Sequence, residues 1–284
     1  MELIKAVQKD EVLLNDIRES AKAQDGFNVW WLGQSGFLIQ WQNKHLLLDP
    51  YLSDSLTKKY DDTDKQHIRM TELVIDPSQL DFIDIVTSSH NHTDHLDGET
   101  LLPLIAVNPN IQMLIPRANQ EFVANRIEQN HDWATTIDAG ESISLPSGFK
   151  VTAIPAAHND IKKNEKGECH FLGYVFEFGE YTIYHSGDTL WRDEIIEALR
   201  SFNIDIAFLP INGNKPERRV AGNLDAEAAV RMGKELNVKM VIPCHYHMFT
   251  FNTVDPDEFV EIAEREGQDF KVMGSGEKYQ FFIK

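Results

Sequence analysis

Asp81-Phe-Ile-Asp-Ile-Val-Thr-Ser-Ser89 runs directly into His90-Asn91-His92-Thr93-Asp94-His95. The first stretch, rich in β-branched and aromatic residues, predicts a buried strand, and the histidines begin where it ends. Three imidazoles and a carboxylate at the C-terminal end of a strand are nitrogen and oxygen ligands for divalent metal. In an extended turn His90 and His92 point to the same side and can grip one ion. Asp94 and His95 fall where the turn reverses and can reach a second. A polar surface loop would give this string only by chance, and the whole chain holds just 11 His among 284 residues.

The rest of the chain supplies what two ions would still lack. His158 follows the apolar run 149–154, Asp188 follows Tyr181-Thr-Ile-Tyr184, and His245 follows Val238-Lys-Met-Val-Ile242. Each sits just past a strand-like run, so an α/β fold would gather them at one sheet edge, where such folds place their sites.

In this order and spacing, H-x-H-x-D-H followed by His, Asp and His resembles the metallo-β-lactamase superfamily pattern, with all seven positions filled. The strings Trp30-Trp-Leu-Gly-Gln-Ser-Gly-Phe-Leu-Ile39, Tyr184-His-Ser-Gly-Asp-Thr189 and Arg231-Met-Gly-Lys-Glu-Leu-Asn-Val-Lys-Met-Val-Ile-Pro243 look like its L-ascorbate 6-phosphate lactonase branch. Ala156-Ala157-His158 departs from that branch. The resemblance implies an αββα sandwich, a two-metal core and hydrolysis. It also makes Asp49, in Leu46-Leu-Leu-Asp49-Pro50, a hydrogen-bonding support of the metal loop rather than a ligand.

Composition agrees with a cytoplasmic globular enzyme. Hydrophobic content is 42% and charged content 25%, which is ordinary. The two cysteines, Cys169 and Cys244, exclude a disulfide framework. The first ten residues lack the apolar core of a signal peptide, and no stretch approaches a membrane span. With no Pro/Gly/Ser-rich linker between positions 90 and 245, one domain over 1–284 is expected. A net charge of −18 argues against nucleic acid as a partner. It still admits a small anionic substrate: two divalent ions set against Asp94, Asp188 and a hydroxide leave a core of about +1, while salt screens the distant surface. Homo-oligomerisation is left open.

Periodicity predicts helices over 10–24, 97–107, 117–129, 192–201, 224–236 and 256–266. Strands are expected over 27–32, 36–41, 45–48, 112–116, 142–145, 149–155, 171–178, 181–185, 204–209, 238–242, 269–273 and 278–283. Hairpins followed by βα units, twice over, fit two mixed β-sheets packed face to face inside outer helices, a four-layer α/β sandwich.

Other residues are assigned by context. His185 and His247 read as hydrogen-bonding neighbours of the ligands; His45, His67, His131 and His170 as structural or surface; Cys244 as a buried thiol; Trp30 and Trp31 as core. The loop 210–223 should open at the metal edge, where Asn212, Asn214, Arg218 and Arg219 offer donors to a phosphate or carboxylate. A solvated loop is the equal alternative.

The ligand types set the chemistry. A nitrogen and oxygen set without thiolate suits two divalent ions, manganese or zinc with iron also admissible, that share Asp188 and activate a water to hydroxide. Asp94 would orient that water and carry its proton to the leaving alkoxide, making Asp94 and Asp188 the catalytic carboxylates. No G-x-S-x-G elbow supplies a serine nucleophile. The expected activity is hydrolysis of a phosphorylated or acidic sugar lactone. A phosphodiesterase and a non-catalytic metal-binding protein are the alternatives.

Overall fold

The computed structural model describes residues 2–21 and 25–282. In chain order the elements are α1 (Asp10–Ser20), β1 (Phe27–Gly33), β2 (Gly36–Trp41), β3 (Lys44–Leu48), α2 (Ser55–Lys59), β4 (Ile85–Thr87), α3 (Gly98–Val107), β5 (Gln112–Pro116), α4 (Gln120–Arg126), β6 (Thr135–Ile137) and β7 (Ser142–Ser144). There follow β8 (Lys150–Pro155), β9 (Leu172–Phe178), β10 (Tyr181–His185), α5 (Asp193–Leu199), β11 (Ile206–Pro210), α6 (Ala226–Glu235), β12 (Met240–Cys244), α7 (Asp257–Glu266) and β13 (Lys278–Phe281).

They form a seven-stranded sheet, β13-β1-β2-β3-β4-β5-β6, and a six-stranded sheet, β12-β11-β10-β9-β8-β7. Both are mixed: β3 to β6 and β10 to β12 pair in parallel, and the hairpin strands are antiparallel. Side-chain alternation builds the layers. Phe27, Val29, Trp31, Phe37 and Ile39 join the core between the sheets, whereas Trp30, Leu32 and Leu38 face a second core with Leu13, Ile17, Leu101, Leu104 and Val123 of α1, α3 and α4. Residues of α5, α6 and α7 pack against the six-stranded sheet. Strands buried on both faces read as continuous apolar runs, which is why the sandwich was visible in the sequence.

Local differences have local causes. Of the expected strand 81–89, only Ile85–Thr87 pairs. Before it, Asp84 is tied to Lys44 Nζ (2.9 Å) and to the His45 amide (2.9 Å). After it, the Ser89 amide leaves the ladder for the Asp49 carboxylate (3.0 Å). The segment 269–273 makes one isolated bridge, Val241 to Phe270, and no strand. The helix expected over 117–129 is a 3₁₀ turn, Arg117–Asn119, followed by α4. The short α2 and β6 had no periodic signal. Parts of two expected elements, 22–24 and 283, lie outside the described residues.

His45 links this packing to pH. Burial pushes its imidazole down to about 4 against the partial opposition of Asp84. Between its ordinary pKa of 6.5 and about 4, the unfolded chain binds a proton that the folded chain does not. Stability is therefore full above that window and falls as acid is added through it, by up to about 3 kcal/mol. His45→Gln should flatten this acid limb in urea unfolding followed from pH 7 to 4.5. Parallel limbs in the two proteins would assign the acid sensitivity elsewhere.

Candidate metal centre

The ends of β4, β8, β10 and β12 converge, and each delivers donors in the few residues beyond it. His90, His92, Asp94 and His95 follow β4; His158 follows β8; Asp188 follows β10; His245 follows β12 directly. Side-chain donor atoms of His90, His92, His158 and Asp188 lie within 4.8 Å of one another, as do those of Asp94, His95 and His245. Asp188 joins the two groups. Its Oδ1 is 3.2 Å from both His95 Nε2 and His245 Nε2, and its Oδ2 is 3.7 Å from His158 Nε2.

Three of these buried atoms, His90 Nε2, His95 Nε2 and Asp188 Oδ1, have no aligned hydrogen-bond partner, although His95 and Asp188 approach to 3.2 Å. Buried polar atoms are rarely left unpaired because desolvation costs about 1–3 kcal/mol each. Lone pairs facing a shared space fit divalent cations, and the donors are imidazole and carboxylate, with Cys244 Sγ turned to Ser35 Oγ at 4.0 Å. The residues expected as ligands from the sequence are thus brought together in the two expected groups.

The opposite ring nitrogens are occupied, which aims the free ones inward. Asp49 is fully buried and its Oδ2 lies 2.8 Å from His95 Nδ1, fixing Nδ1–H and freeing Nε2. Thr87 Oγ1 donates to Asp49 Oδ1 at 2.7 Å. Burial alone would raise the Asp49 carboxyl, but the hydrogen bond from His95 and the nearby imidazole of His185 hold it below its usual range. His158 Nδ1 donates to Gly222 O (2.9 Å), and His90 Nδ1 meets Ser89 Oγ (3.0 Å). Ser89 Oγ also lies 3.3 Å from His95 Nδ1, the nitrogen that Asp49 already holds, and it is fully buried. Serine and carboxylate on one nitrogen do not form a nucleophilic triad.

Asp49→Asn would present an amide N–H to His95 Nδ1–H and favour the wrong tautomer. Metal affinity, read by chelator competition, should weaken roughly 10–100-fold with the fold retained. Unchanged affinity would leave Asp49 as a turn residue only.

Sequence reading missed Gln34, in the turn between β1 and β2. Its Nε2 donates to Asp94 Oδ2 (2.8 Å) and lies 3.1 Å from His245 Nε2, while its carbonyl accepts the His245 amide. Gly33, at φ +99°, sets that turn. Phe171, also missed, packs its ring 5.0 Å from His90 and 5.6 Å from His158. His185 is a buried neighbour whose Nε2–H donates to Ser35 O (3.0 Å), and His247 lies 3.4 Å from Asp255.

His92, Asp94, His158, Asp188 and His245 floor a cavity of about 630 Å³. His67 and His170, expected to be structural or surface, line it. The four expected substrate donors do not, because each is engaged within the protein. Asn212 is buried between Asn223 (3.0 Å) and Asn252 (3.2 Å). Arg218 donates to Asn212 O, Asn252 Oδ1 and Thr253 O, and Arg219 pairs with Asp64. The Asn214 side chain lies against Gly222, where an added Cβ would meet it at 2.2 Å. Val220 and Ala221 are the residues this loop gives to the wall.

Comparison with known proteins places this geometry. Among solved structures, a possible metal-dependent hydrolase from Veillonella parvula superposes with a TM-score of 0.70 at 16% identity, over 91% of this chain and 100% of that one. The isothiocyanate hydrolase from Delia radicum gut bacteria gives 0.69 at 19%, over 90% and 100%. These show the fold. A UPF0173 metal-dependent hydrolase of Pelotomaculum thermopropionicum is 30% identical over 259 residues, 89% of this chain and 99% of its own. The model of the beta-lactamase superfamily domain matches residues 44–246. The chain belongs to the beta-lactamase superfamily, among the UPF0173 metal-dependent hydrolases.

Among the described residues no helix is long and apolar enough to cross a membrane.

Proposed function

We propose that this protein is a metal-dependent hydrolase of a small anionic ester, with a lactone bearing an acidic group as its substrate. The supporting observation is the pair of donor groups sharing Asp188, with unpaired lone pairs on buried His90, His95 and Asp188, and with Asp94, Asp188 and His245 opening onto a cavity. The relatives' description as metal-dependent hydrolases and the lactonase-like strings at 30–39, 184–189 and 231–243 agree with it.

Two divalent ions, manganese, zinc or iron, would supply Lewis-acid chemistry, bringing the pKa of water toward neutrality and stabilising negative charge on the carbonyl oxygen. His90, His92 and His158 would hold one, Asp94, His95 and His245 the other, with Asp188 between them. Asp94 lines the cavity, and Gln34 holds the carboxylate in place from one side. From there Asp94 takes the proton of the attacking water and returns it to the leaving alkoxide. A C–OH bond forms as the ring C–O bond breaks, and a hydroxy acid leaves. The Phe171 ring packs beside His90 and His158 and lines the cavity with His158.

Metal analysis run beside parallel assays on acidic lactones and bis(p-nitrophenyl) phosphate tests this reading. Lactone opening that stops on chelation and returns with metal is the expected result. Turnover of the diester alone would make the protein a phosphodiesterase, and bound metal with neither activity would make it a binding protein.

A further inference from the structure

The cavity is lined by four basic side chains, Lys59, Lys65, Arg126 and Lys162, and none has a carboxylate within ion-pair distance among the described residues. The contrast with their surroundings is local. Lys58 pairs with Glu99 at 2.7 Å, Arg69 with Asp54 at 2.6 Å, and Arg219 with Asp64. Acidic residues outnumber basic ones 45 to 27, so carboxylates are not scarce. Lys59 Nζ meets Thr93 Oγ1 (3.3 Å) and lies over the Tyr60 ring (5.2 Å), and Lys65 Nζ donates to Arg219 O (2.7 Å). One Arg126 nitrogen meets Leu96 O (2.9 Å), leaving the rest of its fork free. Asp61, Asp62 and Glu128, acids close in sequence to these cations, are exposed and do not line the cavity.

The same wall is apolar between its charges. Phe122 is 42% exposed with the Arg126 guanidinium over its ring at 4.9 Å, and Tyr60 and Phe251 flank the His67 ring at 4.5 and 5.0 Å. A cavity of about 630 Å³ falls in the range that encloses a drug-sized molecule, well above what a bare sugar lactone fills.

We propose that the substrate is an amphiphilic anion, whose acidic group is held by Lys59, Lys65, Arg126 and Lys162 and whose acyl or aromatic body packs on Phe122, Tyr60 and Phe251. This rests on the reading of the cavity as the substrate site and gives the substrate an apolar body in place of a sugar. Cations without a carboxylate partner gain most from an anionic ligand, and the exposed or half-buried aromatic rings beside them gain from covering apolar surface.

Phenylphosphonate and methylphosphonate share a head group and differ only in the body, so any contact with metal is common to both. Calorimetric titration of the protein as purified should show phenylphosphonate binding about tenfold tighter or more. Phe122→Ser with Phe251→Ser should erase that preference and leave methylphosphonate unchanged. Replacing all four cations by glutamine should weaken both ligands at least about tenfold at unchanged metal content. Its charge-matched control carries Lys5→Gln, Lys150→Gln, Lys234→Gln and Arg265→Gln, all exposed and away from the cavity, and should bind like wild type. Equal affinity for the two ligands, or equal losses in the two quadruple variants, would overturn the proposal. Binding needs no turnover, so absence of lactone hydrolysis would sink the proposed reaction without deciding this question.

Discussion

Asp188→Asn is expected to cost the protein metal in both donor groups at once and to lower hydrolysis by roughly a thousandfold or more, a loss of several kcal/mol of transition-state stabilisation. Among the described residues Asp188 is the one carboxylate that touches both sets. It lies 3.2 Å from His95 and His245 and 3.7 Å from His158. Asparagine keeps the shape and removes the charge that offsets five converging imidazoles. By contrast His92→Ala removes a single donor of one group and should lower, but not empty, the metal content. Elemental analysis of the two variants beside wild type separates these outcomes. An Asp188→Asn protein with full metal and full activity would remove Asp188 from the bridging position.

Gly187→Ala should be nearly as damaging without touching a ligand. Gly187 has φ +56°, and an added Cβ would stand 2.6 Å from Ser89 Cβ, 2.7 Å from Ser89 Oγ and 2.9 Å from Leu172 O. None of these is the loose end of a long side chain. Ser89 precedes His90 and is held by Asp49, while Leu172 O belongs to β9. Left-handed strain plus the clash should cost about 2–4 kcal/mol, and Ser89 and Asp188 must move apart. Denaturant unfolding measures the first effect and metal content the second. A variant as stable as wild type with full metal would mean that the loops after β4 and β10 are far more pliant than their packing suggests.

What was legible in the sequence follows from how local each signal is. The donor string 90–95 is contiguous, and His158, Asp188 and His245 each follow a run of β-branched or aromatic residues, so position and chemistry could be read together. The sandwich was legible because alternate residues of β1 and β2 feed two different cores and leave no polar phase. Gln34 carried no such signal, since its contacts to Asp94 and His245 join residues far apart in sequence. Nor did Lys59, Lys65 and His67, which lie in and beyond a helix of 5 residues too short to show periodicity. Arg218 and Arg219 show the converse case. Their loop does follow β11, but Asn212 O, Asn252 Oδ1, Thr253 O and Asp64 absorb both guanidinium groups.

Each donor group draws from both sheets. His90 and His92 come from the seven-stranded sheet and His158 and Asp188 from the six-stranded one; Asp94 and His95 face His245 in the same way. An ion in either group would therefore be a rivet through the sandwich, fastening halves otherwise joined by apolar contact and a few hydrogen bonds such as His185 to Ser35 O and Tyr174 to Ser88 O. Because the unfolded chain has no such convergence, free metal at a hundred times its dissociation constant would add about 2.7 kcal/mol to stability. The cell's metal supply would then govern how long this protein survives, as well as how fast it works.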